Sequence, residues 1–309
     1  MDKIIHGNAL TVIRDMPRHS VDCIVTSPPY WNLRDYDHPD QLGNEATVQE
    51  YIIKLCDIFG YCMSVLKPGG TCFVNLNDTS AGSHKGAGTD KSKCVEQYIP
   101  RVVPKAKTPV RRKSLCGIPE RFMIEMLNRG WILRNKIVWN KPNAKPQPAL
   151  DKFVPSWEAV YFFVLNPKHY FKKQFEPVKQ STIERASRKR NASAKYALTG
   201  QLEPKQSTHR GMRDVFHIAT ASPKGIPHMA MYPKKLVNIL IESGCPENGI
   251  VLDPFIGSGT TAIAAKEIGR GYIGIDTNPA YVDIATKRLT AIPRQLSLSL
   301  AQTTRPEIP

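Results

Sequence analysis

The sequence predicts an α/β protein built on one mostly parallel sheet with helices on both faces. Three observations carry that expectation. Short apolar, β-branched runs alternate with segments of helical periodicity along most of the chain. A glycine-rich turn, Gly257-Ser258-Gly259-Thr260-Thr261-Ala262, fits the G-x-G-x-x-G/A pattern and falls between such a run and a helix. The next run ends on an acid, Asp276, as Rossmann-like nucleotide-binding units require.

The elements follow in order. KIIH (3–6), LTVIRDM (10–16) and VDCIVT (21–26) read as strand, helix, strand. Residues 47–67 place apolar side chains at 52, 53, 55, 58, 59, 62, 63, 65 and 66, a helical stripe that Pro68-Gly69-Gly70 stops before the strand TCFVNL at 71–76. Residues 79–117 are rich in Gly, Ser, Lys and Pro and predict a long loop or insertion. A helix at 119–130 and strands at 131–139 and 156–165 follow, then a segment from 167 onward without sustained periodicity. The chain closes with a helix (233–243), a strand (249–255), a helix (260–269), a strand (271–276), a helix (280–289) and a frayed tail after 293.

Charge separates scaffold from partner surface. Of the net +16, residues 82–117 contribute nine basic and two acidic side chains, and residues 167–214 twelve and four. The rest of the chain is balanced, so two polar segments are charged on an ordinary scaffold, which points to a polyanionic partner. No apolar run is long enough to span a membrane, and MDKIIHGNAL does not resemble a secretory signal, so a cytoplasmic location is expected. Seven cysteines without a CxxC pair predict reduced, mostly buried thiols rather than a disulfide framework or zinc ribbon. No HExxH or similar run calls for a metal, and no GxxxxGK[ST] calls for a P-loop.

The glycine turn predicts a nucleoside site. Glycines let the backbone approach a ligand, and Asp276 at the next strand end can accept two hydrogen bonds from ribose hydroxyls. Only 33 residues follow Asp276, so the remaining strands of the sheet must come from earlier in the chain. The sheet is therefore expected to be circularly permuted, with the N-terminal strands beside the C-terminal pair and their carboxyl ends sharing one crevice. That brings the end of VDCIVT, the stretch TSPPY, to the ligand site.

Ser27-Pro28-Pro29-Tyr30 is a stiff bracket. Each proline holds its predecessor extended and lacks an N–H, so the stretch offers carbonyls and one hydroxyl, an acceptor-rich clamp. Such a clamp suits the amino group of a nucleobase: accepting its N–H hydrogens favours a pyramidal nitrogen and frees the lone pair for attack. Tyr30 can stack on the base and Trp31 can form a second wall. Downstream, Arg34 could reach a phosphate or order its own loop.

Together, TSPPY, LKPGGTCFVNL, HMAMYPKKLV, LDPFIGSGTT and GIDTNPAYVDIA, in this order, resemble the permuted (beta-type) amino-DNA methyltransferases over most of the chain, and IIHGNAL resembles their opening strand and turn. The resemblance implies a permuted methyltransferase fold over residues 1–309 as a single catalytic domain, with a basic insertion at 79–117 and a basic target-recognition region at 167–214. It implies S-adenosylmethionine as cofactor and a base flipped out of double-stranded DNA as substrate. Ser27, Pro28, Pro29 and Tyr30 would hold the target base, and Asp253, Pro254, Phe255, Gly257, Gly259 and Thr260 would line the methionine side of the cofactor. Asp276 would hold the ribose, and Asn8 stands near the adenine ring where the family usually has aspartate. A serine before the prolines is associated with cytosine N4, aspartate or asparagine with adenine N6; Ser27 thus favours site-specific N4-cytosine methylation, with N6-adenine as the alternative. Within the family, a homodimer and a cognate restriction endonuclease acting on the same site are compatible partners. Methylation of RNA or of a protein amide, a non-catalytic DNA-binding module and, more distantly, an NAD-dependent oxidoreductase built on the same glycine turn compete with this reading. Methylation at cytosine C5 is set aside, because Cys245-Pro246 reverses the Pro-Cys pair that chemistry uses.

Overall fold

The computed structural model describes residues 2–32, 41–81, 110–147, 149–178, 181, 209–220 and 231–292. Two compact units divide the chain: Met1–Phe171 with Asp214–Pro309, and Lys172–Arg213. The larger unit holds an eight-stranded sheet. Its strands are β1 (Asp2–His6), β2 (Val21–Thr26), β3 (Leu66–Leu76), β4 (Ile132–Asn140), β5 (Trp157–Val164), β8 (Val215–His217), β9 (Ile250–Asp253) and β10 (Gly271–Asp276), and the smaller unit contains β6 (Phe175–Pro177) and β7 (His209–Gly211). The described helices are α1 (Ala9–Arg14), α2 (Val48–Val65), α3 (Ile118–Asn128), α4 (Lys234–Gly244), α5 (Thr260–Glu267) and α6 (Pro279–Thr290).

The strand order is β1-β10-β9-β2-β3-β5-β4-β8. Parallel pairing runs from β1 through β3, β5 is antiparallel to both its neighbours, and β8 is parallel to β4. The C-terminal pair is enclosed by N-terminal strands, Ile5 opposite Ile275 on one side and Ile24 opposite Leu252 on the other. This is the expected permutation, and it aligns the carboxyl ends of β1, β10, β9, β2 and β3 along one edge.

Both faces are buried along β2, β5, β9 and β10, which is why these strands read as continuous apolar runs. Along β2 and β5, Ile24, Tyr161 and Phe163 point to the core under α1, α2 and α3, while Cys23, Val25, Val160 and Phe162 point to the core under α4 and α5. A capping box fixes the start of α2: Thr47 Oγ1 accepts from the Glu50 N–H and Glu50 reaches back to the Thr47 N–H, a motif worth about 1 kcal/mol. No helix among the described residues is long and apolar enough to cross a membrane.

Three expectations change. The helix predicted to 67 ends at Val65 and β3 starts at Leu66, because the Pro-Gly-Gly stretch bulges within the strand: Val21 faces Leu66 but Cys23 already faces Thr71. Gly70 is needed there, since a Cβ would lie 2.5 Å from Leu66 Cδ1 and 2.9 Å from the Asp22 carbonyl oxygen. The basic segment 167–214 is not wholly irregular, because β6 and β7 pair antiparallel within the smaller unit. β8 then adds an edge to the main sheet. Strands of three residues leave no periodicity to detect. Residues 82–109 and 182–208 of the basic segments, and 228–230 of the HMAMYPKKLV stretch, lie outside the described residues.

Candidate active site

One cavity opens at the carboxyl edge of the sheet, lined by Ser27–Tyr30 after β2, by Pro254–Ser258 and Thr260 after β9, by Asp276–Asn278 after β10, and by Gly7 and Asn8 after β1. The bracket and the glycine turn, more than 220 residues apart in sequence, share this space because β2 and β9 are neighbours. Trp31 is not a second wall. It is fully buried and its indole N–H donates to the Glu45 carbonyl at 3.0 Å. Arg34 lies outside the described residues.

A polar network holds the bracket. Asn75 near the end of β3 donates its amide N–H to the Ala159 carbonyl at 3.2 Å, which turns its Oδ1 toward Ser27 Oγ and Tyr30 Oη, each 3.3 Å away. Ser27 donates to that oxygen and keeps its own lone pairs available as acceptors. Tyr30 has a single hydroxyl proton, and Glu158 Oε2 at 2.9 Å is the stronger acceptor. Glu158 is buried and also accepts from the Lys141 ammonium and from Asn77 Nδ2 at 3.3 Å. Burial pushes the Tyr30 phenol well above its ordinary value and the Glu158 charge adds to the effect, so Tyr30 stays a neutral donor. Tyr51 donates to the Pro29 carbonyl at 2.8 Å, so that acceptor is already committed.

Behind the glycine turn stands Asp253. Its Oδ1 accepts from Thr26 Oγ1 at 2.6 Å and from the Phe255 N–H at 3.0 Å; its Oδ2 accepts from Thr261 Oγ1 and from Tyr232 Oη at 3.1 Å. Burial pushes its carboxyl up and these donors pull it back. Asp253 is 1% exposed and does not line the cavity, so its work is to fasten strand ends and turn together. Gly259 also sits behind the wall: at φ +88° it caps α5, and a Cβ there would lie 2.9 Å from Ala285 Cβ. Gly257, at φ +51°, lines the cavity, and a Cβ there would meet no atom within 4 Å.

Asp276 and Asn8 face the same space. Asp276 Oδ2 accepts from the Gly257 N–H at 2.9 Å and Oδ1 from the Asn278 N–H at 2.8 Å. Burial nevertheless raises its carboxyl to about 6, so the ionised form needs further donors, such as a vicinal diol in the cavity would bring. Asn8 caps α1, its Oδ1 accepting from the Leu10 N–H at 2.9 Å, which leaves its amide N–H groups for a ligand. A cradle left open by Gly257 and a half-buried acid short of donors fit a nucleoside cofactor.

Comparison with known proteins agrees with this architecture. The family model described as DNA methylase matches residues 21–287. The chain belongs to this DNA methylase family. Among the relatives of this methylase are the Type II methyltransferases M.Cfr9I of Citrobacter freundii, 34% identical over 93% of this chain and 87% of the relative, and M.SmaI of Serratia marcescens, 32% identical over 93% and 90%. In fold, it is similar to the cytosine-N4-specific PvuII DNA methyltransferase, with a TM-score of 0.63, 18% identity and coverage of 96% and 88%. A Thermus thermophilus protein described as a DNA modification methylase and solved in complex with S-adenosyl-L-methionine superposes with a TM-score of 0.57 at 22% identity over 94% of each chain. Family membership removes the oxidoreductase alternative.

The sequence reading of this methylase missed Asn75, Lys141, Glu158 and Tyr232. Two of them left a trace: Asn75 interrupts the apolar run CFVNL and Glu158 opens the apolar strand AVYFFV, and polar groups in such places need a reason. Cys245 is buried and its thiol is pushed up to about 12, which leaves no nucleophile there.

Proposed function

We propose that this chain is a site-specific methyltransferase of duplex DNA that modifies an exocyclic amino group, the N4 amino group of cytosine, with S-adenosylmethionine as donor. The observation that carries the proposal is the orientation of Ser27. Its proton is drawn to Asn75 Oδ1, so Ser27 Oγ presents lone pairs rather than a donor. With the Pro28 carbonyl it forms an acceptor pair for the two N–H hydrogens of an aromatic amine, and Pro29 keeps the pair stiff.

Tyr30, tethered through its hydroxyl to Glu158, supplies a stacking face held in one position. Asp276 accepts from the ribose hydroxyls, Gly257 gives the cofactor room, Pro254, Phe255 and Thr260 form the wall, and Asn8 meets the adenine edge. Asp253 and Gly259 act through these residues by fixing the turn. When bound, S-adenosylmethionine supplies an electrophilic methyl group on a sulfonium. The residues of this chain orient the amino nitrogen toward it and exclude water, and such positioning is worth roughly 7–11 kcal/mol of barrier. A cytoplasmic location and duplex DNA as macromolecular partner follow from this function. A cognate restriction endonuclease is the expected counterpart, because the relatives named above are Type II methyltransferases.

Cytosine N4 is preferred over adenine N6 on Ser27, the residue that the resemblance associates with cytosine. Mass spectrometry of nucleosides from DNA of a methylation-free host expressing the chain tests the choice. N4-methylcytosine is expected, and N6-methyladenine without it would overturn the assignment.

A further inference from the structure

Residues 141–156 join β4 to β5 at the carboxyl edge of the sheet, where Asn140 lies opposite Trp157 and Ala159 opposite Leu76. The neck of this loop is firmly built. The Lys141 N–H donates to the Ser156 carbonyl at 2.7 Å, Asn143 exchanges hydrogen bonds with the Thr220 backbone at 2.9 and 3.1 Å, and Lys141 pairs with Glu158, the residue that tethers Tyr30. Pro142, Pro146 and Pro155 restrict the chain between.

At the tip, Leu150 and Phe153 stand wholly in solvent, Phe153 at 98% exposure. Single exposed apolar side chains need no explanation, but these two occur together on a stiffened loop at the carboxyl edge of the sheet, among cations. Lys145 and Lys152 flank them, and Lys113, which follows exposed Arg111 and Arg112, pairs with Asp151 at 2.6 Å. Apolar tips within a cationic surround fit a partner whose outside is anionic and whose inside is apolar. A DNA base stack has both properties, and apolar wedges between base steps are a known way to open a duplex.

We propose that Leu150 and Phe153 enter the base stack beside the target nucleotide and hold the helix open while the target base occupies the Ser27–Tyr30 bracket. This role rests on the DNA methyltransferase function proposed above. The mechanical link is direct: Lys141 opens the loop and Glu158 follows it as the second residue of β5, so seating the tip in DNA and holding Tyr30 engage one neck.

The test uses the full chain and its L150A/F153A variant on two duplexes carrying the sequence that the enzyme modifies in the host. In one the target base is paired; in the other it faces an abasic site and is already unstacked. The variant is expected to lose about 100-fold in kcat/KM on the paired duplex, the scale set by unassisted unstacking, and to stay within about threefold of the parent on the abasic one. A fluorescent cytosine analogue at the target position should brighten on binding the parent and not the variant. Equal loss on both duplexes, or no loss on either, would overturn the role. So would sedimentation showing that the variant separates a dimer of the parent, because a second copy would then be what covers the tip. Failure of the parent to methylate either duplex would instead remove the proposed function and this role with it.

Discussion

Cofactor affinity should depend on pH through Asp276, and the structure gives the size of the effect. In the free protein, burial raises its carboxyl from 3.8 to about 6, although two backbone N–H groups already hold it. A ribose diol donates far more strongly to the ionised form, so binding favours loss of any proton Asp276 carries. The sign follows. Above about pH 6 the acid is ionised and ready; below it each pH unit costs about 1.4 kcal/mol, so affinity at pH 5 should be roughly tenfold weaker than at pH 7.5. For the unliganded fold the same shift opposes stability, by about 3 kcal/mol at pH 7 relative to a pH below 4, because the native state there holds a proton that the unfolded chain releases more readily. Bound donors relieve that cost, so S-adenosylmethionine should raise the melting temperature more at pH 7.5 than at pH 5. Calorimetry in buffers of different ionisation enthalpy should detect about half a proton released per cofactor bound at pH 6. His6, whose charge would favour the ionised acid, is controlled by His6→Gln, which should keep the shape of the profile and move its midpoint only upward. An affinity flat from pH 5 to 8, or a profile unchanged in Asp276→Asn, would refute the reasoning.

The two glycines of the turn should separate. Gly259→Ala, with its Cβ 2.9 Å from Ala285 Cβ and φ at +88°, should lower stability by about 2–5 kcal/mol in denaturant melts, whereas Gly257→Ala should cost only about 1 kcal/mol yet weaken cofactor binding more than tenfold. Equal stability losses would contradict the placement of Gly257 against the cavity. Tyr30→Ala should abolish methyl transfer in a tritiated-methyl assay with the fold intact by circular dichroism; Tyr30→Phe, which keeps the face and loses the bond to Glu158, should retain part of the activity at a cost of about 1–3 kcal/mol in stability. Duplex affinity should fall at least tenfold between 50 and 200 mM salt, as expected when several phosphates are held, and binding unchanged by salt would remove the basic segments from that role.

Much of this could be read from the chain because each parallel unit carries its own local signals. Gly257, Gly259 and Asp276 announce their turn and strand end by residue type, and the apolar runs of β2, β5 and β10 are long enough to register. The permutation was legible too, since the strands missing after Asp276 had to come from the start of the chain. What escaped were partnerships rather than elements. Tyr30 meets Glu158 across 128 positions and Asn75 across 45, and nothing near any of the three names the others. The strands β6, β7 and β8 are set by their partners, not by a pattern of their own. Trp31 failed for a related reason: adjacency to a site residue says nothing about which way a side chain turns after two prolines, and it turned inward.

Asp253 explains why the two halves of the site cannot drift apart. The bracket begins one residue after Thr26 and the glycine turn four residues after Asp253, and these two side chains share a 2.6 Å hydrogen bond across the β2–β9 pair. The same carboxylate takes the Phe255 N–H, Thr261 at the start of α5, and Tyr232 just ahead of α4. Four donors from four segments thus converge on one buried acid, and ionisation makes each of those bonds stronger than a neutral one. A methyl transfer tolerates little error in the distance between donor carbon and acceptor nitrogen. In this fold that distance is set neither by the bracket nor by the turn alone but by the strand ends beneath them, which makes a residue outside the cavity wall the one that fixes its two sides in register.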